Sequence, residues 1–133
     1  MIVDFPQGCP PDDTFPMEGD FFVLAEGNLK PGDATGRMTW QRPYEKRTGD
    51  YAGQTSNIDA NALSVFKDVG DLYRARDIAP WTRRKAIAEV SVGQEDGWLK
   101  HTPADLGDSH HDWWTDPYDL IPAATVIEAK CSE

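Results

Sequence analysis

Residues 62–92 read ALSVFKDVGDLYRARDIAPWTRRKAIAEVSV, and the hydrophobic period changes twice within them. Leu63, Val65 and Phe66 form a short apolar run that stops at Lys67-Asp68, which predicts a strand ending where a helix begins. Asp68 is placed to cap that helix with its carboxylate. Val69, Leu72 and Tyr73 then recur at spacings of three and four, a packing face, while Asp71, Arg74 and Arg76 point largely elsewhere. Gly70 weakens the helix and Pro80 forbids its continuation, so it should end near Arg76 or Asp77. Beyond the proline, Ala88, Val90 and Val92 alternate with Glu89 and Ser91, the period of a strand with one buried face. The two strands fit either a parallel pair with a helical crossover or an antiparallel arrangement.

Outward from this unit, Asp20 to Ala25 (DFFVLA) lies between Gly19 and Gly27 and reads as a buried strand. Asn28 to Asp33 is a strong turn. Gly93 to Gly97 reads as a hairpin-like turn into a strand at Trp98 to His101. Asp116 to Ile121 has the start of a short helix, with Asp116 as cap and Pro117 at the first position, and Thr125 to Ala129 is a final strand. The expected fold is α+β: a small mixed or antiparallel sheet with one or two short helices in a single domain. Residues 1–19, with Pro6, Pro10, Pro11 and Pro16 among acids, read as an extended arm, and residues 20–133 as the domain.

A chain of 133 residues buries roughly two-thirds of the surface its unfolded form exposes, and five Trp, five Phe and four Tyr supply large side chains for a core. The net charge of −10 excludes non-specific nucleic-acid binding, which needs clustered Lys and Arg. The charge is uneven: residues 1–36 carry −6, residues 37–85 carry +4 and residues 86–133 carry −8. No apolar run spans a bilayer, and the N-terminus lacks the basic start and apolar middle of a signal peptide, so a cytoplasmic location is expected without membrane contact. Cys9 and Cys131 then read as free thiols.

Three stretches carry candidate ligand-binding residues. From Ala34 to Ala60 a long loop mixes Arg37, Arg42, Lys46 and Arg47 with Trp40, Tyr44 and Tyr51, cations beside aromatic faces, as an anion carrying a flat ring requires. Arg74, Arg76, Arg83, Arg84 and Lys85 gather around Trp81, partly because bases suit a helix C-terminus. The third stretch holds Ser109, His110, His111, Asp112, Trp113 and Trp114. Neighbours on an extended chain face opposite ways, so His110 and His111 do not chelate one ion, and no metal spacing supports them. Neither a phosphate-cradling glycine loop nor a nucleophile elbow is present.

The order of segments from Asp20 to Ala129 resembles that of the small, rifamycin-modifying bacterial ADP-ribosyltransferases: an opening strand, a turn like Asn28 to Asp33, a strand and helix like Leu63 to Arg76, and strands like Ile87 to Val92 and Thr125 to Ala129. Members of that family hold NAD with a His-Gly-Thr motif at the end of the opening strand, where this chain has Val23-Leu24-Ala25-Glu26. The resemblance implies an enzyme with an altered nucleotide site, Arg or His side chains of the basic middle gripping the pyrophosphate, and no catalytic residue carries across.

With no complete catalytic constellation in view, the expectation is a non-enzymatic binding or accessory protein, without a cofactor, that engages a protein partner or a small anionic ligand. NAD enters only with the transferase resemblance, and an acidic mimic of nucleic acid is a third reading.

Overall fold

The computed structural model describes residues 5, 8–47, 49–117, 120 and 122–131. Six strands form one open antiparallel sheet: β1 (Gly19–Ala25), β2 (Leu63–Phe66), β3 (Ala86–Val92), β4 (Gly97–His101), β5 (His110–Thr115) and β6 (Ala124–Glu128), in the order β4-β5-β2-β1-β3-β6. Among the described residues there is one α-helix, α1 (Val69–Ile78), joined by short 3-10 turns, three of them in the long 34–60 loop.

β1 lies between β2 and β3 and runs antiparallel to both. The strands of the 62–92 unit are therefore parallel to each other but not paired, and α1 carries the chain across β1. Asp68 caps α1 as its sequence position requires, its carboxylate accepting from the Gly70 amide at 2.8 Å. The helix continues to Ile78, two residues before Pro80, which has no backbone N–H with which to extend it.

The packing face of α1 differs from the spacing rule. Leu72 and Ala75 are buried together with Asp71, whereas Tyr73 is 42 % exposed. Burial of Asp71 is possible because Ser109 supplies it with two donors. Tyr73 lies outside, its hydroxyl 3.3 Å from the Glu128 carboxylate and its ring beneath Arg76.

The Gly93–Gly97 segment does not make a hairpin. It carries the chain from β3 to the opposite edge, where β4 pairs with β5 from Gly97–Thr115 to His101–His111. A positive φ of 130° at Gly97 makes this entry possible, since any side chain there would meet the Trp114 carbonyl. The helix expected from Asp116 to Ile121 falls mostly on 118, 119 and 121, outside the described residues.

Alternation sorts the sheet into two faces. Phe21, Val23, Val65, Val90, Leu99, Trp113 and Val126 bury the first, closed over by Trp40. Phe66, Leu72 and Ile87, with Phe22, Leu24 and Leu106 against them, form a smaller cluster beneath α1 on the second. Both outer strands are covered. Phe15 exchanges backbone hydrogen bonds with Leu99 of β4 at 2.9 and 2.8 Å, and residues 32–35 bond to Ala124 and Val126 of β6. These isolated bridges shorten the open edge of each outer strand.

Candidate functional site

β1 and β2 pair at one position only, Phe22 with Phe66. Beyond it the strands part, and Val23 and Leu24 on one side and Leu63 and Ser64 on the other line a cavity of about 300 Å³. α1 covers the second face only over part of the sheet, so the apolar wall of Leu24, Phe66 and Leu106 remains open at this place. The 3-10 turns at Arg37–Trp40 and Pro80–Arg84 bring Met38, Trp40 and Trp81 to its walls, and Lys46 and Lys85 line it beside them. His110 completes the lining from β5.

Glu26 fixes one wall. Its carboxylate accepts from the Gly36 amide, the Thr39 amide and the Thr39 hydroxyl at 3.2, 3.1 and 3.0 Å, holding the turn that carries Met38 and Trp40. The Trp40 indole donates to the Thr35 hydroxyl at 3.0 Å and stands edge-on to Trp113, with centroids 6.1 Å apart. The cavity wall is thus continuous with the core.

Lys46 and Lys85 share this cavity, and no carboxylate lies within ion-pair distance of either among the described residues. Loss of water around the Lys46 amine, and then the positive charge of Lys85, lower its pKa below the ordinary lysine value. His110 sits edge-on to Phe66, its Nδ1 2.8 Å from the Thr102 carbonyl oxygen. A carbonyl only accepts, so Nδ1 carries a hydrogen.

Of the twelve candidate residues, the structure brings Trp40, Trp81 and His110 to the cavity. Trp113 and Trp114 are each 1 % exposed and belong to the core. Arg42 is buried, donating to the Asn61 carbonyl at 2.6 Å and the Thr115 hydroxyl at 2.9 Å, with Phe5 over its guanidinium. Arg74 pairs with Asp71 at 3.2 Å, and Arg83 donates to the Arg76 carbonyl near the end of α1 at 2.6 Å. Arg37, Arg84 and the half-buried Tyr44 do not line the cavity. Two other cations of the same basic stretches, Lys46 and Lys85, line it instead. Their signal was present: each lies a few residues from an aromatic side chain, Tyr44 or Trp81, in the basic middle.

His111 faces the other side of the sheet. It is buried between Phe21 and His101, with ring centroids 5.4 and 5.0 Å away, and its Nδ1 is 2.7 Å from the Ser109 carbonyl oxygen. Burial, and then the neighbouring His101, His110 and Lys67, push its pKa below the usual histidine value despite that hydrogen bond. The unfolded chain therefore binds a proton more readily, so this contribution to stability is present above about pH 6.5 and lost as pH falls from there through the lower folded value. Urea midpoints measured between pH 7.5 and 5.5 should fall with acidification in the native chain and fall less in His111→Gln. Equal slopes would remove His111 as the cause.

Cys9 and Cys131 are free thiols. Among the described residues no group of three or more His, Cys, Asp and Glu side chains is arranged to hold a metal ion, and no helix is long and apolar enough to cross a membrane. Comparison of the chain with protein-family models, with curated proteins and with solved structures finds no match.

Proposed function

We propose that this protein binds a small anion carried on a flat ring, held in the cavity where β1 and β2 part. One observation carries the reading: among the described residues the cavity has two lysines and an exposed tryptophan in its lining and no Asp or Glu, in a chain with 23 acids. An apolar wall of Leu24, Phe66 and Leu106 takes the ring, Trp81 stacks on it at the mouth, and Lys46 and Lys85 hold the anion by charge-assisted hydrogen bonds. The size suits one ring and its anionic group, since about 300 Å³ is the lower end for small-molecule sites.

Phenyl phosphate at one hundred times its dissociation constant should raise unfolding stability by about 2.7 kcal/mol in a thermal-shift assay. Lys85→Ala should weaken binding about tenfold to a hundredfold, the worth of one hydrogen bond to a charged group. Unchanged affinity in that variant, or no shift with any aryl anion, would end the proposal.

A second reading keeps the transferase resemblance, because Val23 and Leu24, from the stretch standing where that family holds NAD, line the same cavity. Labelled NAD incubated with concentrated protein distinguishes the two: consumed NAD or labelled protein supports transfer, and intact NAD removes it.

A further inference from the structure

The pairing that adjacency denies to His110 and His111 arises across the ladder instead. His101 of β4 stands directly opposite His111 of β5, so both side chains leave the same face of the sheet within reach of each other. Their ring centroids are 5.0 Å apart and the rings are tilted by 31°. We infer that His101 and His111 form a two-imidazole site for a divalent transition-metal ion, copper(II) or zinc(II), which clips the outer strand β4 to β5.

The spacing of the rings fits an ion between them. A metal about 2.0–2.1 Å from each imidazole nitrogen, with ring centres about 1.1 Å behind the nitrogens, sets the centroids roughly 4.5 Å apart at a right-angled bite and roughly 5.2 Å apart at a tetrahedral one. The observed separation lies between the two. Each ring is also held by its other nitrogen. Nε2 of His101 donates to the Asp108 carbonyl at 2.6 Å, and Nδ1 of His111 donates to the Ser109 carbonyl at 2.7 Å. Carbonyls only accept, so these nitrogens carry the hydrogens, and in the neutral rings the lone pairs fall on Nδ1 of His101 and Nε2 of His111. A backbone carbonyl behind the ring is the usual support of a metal-ligating histidine, because it fixes both tautomer and orientation. Here two successive carbonyls of the segment leading into β5 support both rings.

Among the described residues no carboxylate lies within ion-pair distance of either ring, so neither is committed to a salt bridge. Burial beside Phe21 favours the neutral form of His111, the form that binds metal. Lys67, its amine over the Phe21 ring, and His110 on the opposite face are the other charged groups that act on His111. Imidazole ligands suit copper and zinc, whereas magnesium and calcium prefer oxygen. His101 is exposed, which gives the ion a way in, and water takes the positions the protein leaves open.

Copper(II) sulfate and zinc chloride titrated into the full, tag-free chain test this. Copper should bind with electron paramagnetic resonance coupling to a pair of imidazole nitrogens, and zinc should raise the urea midpoint. His101→Gln changes an exposed side chain, and circular dichroism should show its fold intact. It should bind copper about tenfold more weakly or worse, since the second ring acts at the effective concentration of a group already in place, and zinc should no longer raise its midpoint. His110→Gln, on the opposite face, should bind like the parent. Copper held as tightly by His101→Gln as by the parent, or weakened equally in His110→Gln, overturns the site. So does zinc that leaves the parent's midpoint unchanged.

Discussion

Replacing Trp113 with Ala should lower stability by about 3–5 kcal/mol, the range for deleting a buried Trp or Phe side chain. Its indole is among the largest fully buried groups in the molecule, donates to the Asp96 carbonyl at 3.1 Å and lies opposite Leu63 and Leu99 across both neighbouring strands. Domains have only about 5–15 kcal/mol to lose, so the urea midpoint should drop by about a fifth or more. Because Trp40 stands edge-on to Trp113 and lines the cavity, the surviving folded fraction should also bind aryl anions less well. Trp81→Ala provides the contrast. Its side chain is 47 % exposed at the cavity mouth, so the midpoint should move little while binding weakens. A Trp113→Ala protein as stable as the parent would show that the sheet is not held by this contact.

Asp71→Ala should cost about 3 kcal/mol, because it strands donors that charge-assisted bonds now satisfy. The Asp71 carboxylate accepts from the Ser109 amide at 2.9 Å, the Ser109 hydroxyl at 2.6 Å and Arg74 at 3.2 Å. These bonds tie α1 to the segment that leads into β5. Gly107 packs so closely against the Asp71 side chain that no Cβ fits there. Burial alone would raise the pKa of this carboxyl, but the two Ser109 hydrogen bonds and Arg74 outweigh it and hold it below the ordinary carboxylate value. A depressed folded-state pKa gives stability that is present above about pH 3.9 and lost as pH falls through the folded value. Asp71→Asn should accordingly flatten the acid limb of the stability curve below pH 4, measured by circular dichroism. An unchanged limb would mean that other carboxylates govern acid unfolding.

The 62–92 unit was legible because its signals are local: a strand period, an aspartate at the cap and a proline after the helix each act within a few residues. Strands at Asp20 to Ala25, Trp98 to His101 and Thr125 to Ala129 were legible for the same reason, to within a residue or two at their ends. The burial of Asp71 was not, since its partner Ser109 is 38 residues away. Nor was the route after Val92. Gly93 to Gly97 has the composition of a hairpin, but β4 is drawn to β5, where Leu99 reaches Trp113 and Trp98 reaches Trp114.

The candidate site divides along the same line. The sequence marked a basic, aromatic middle, and two of its tryptophans do line the cavity. It could not separate Trp113 and Trp114 from Trp40 and Trp81, because exposure follows from what packs opposite, not from residue type. Arginines drew attention by number, yet Arg42 is buried among backbone and hydroxyl acceptors, while Lys46 and Lys85 were left with space before them.

The chain alone determined the α+β class, the capped helix at Asp68 and the strands around it, because hydrophobic period and capping are properties of neighbouring residues. Strand order, the parting of β1 from β2 and the cavity there were decided only in three dimensions. They depend on which distant side chains compete for one buried face, and no local pattern records that competition.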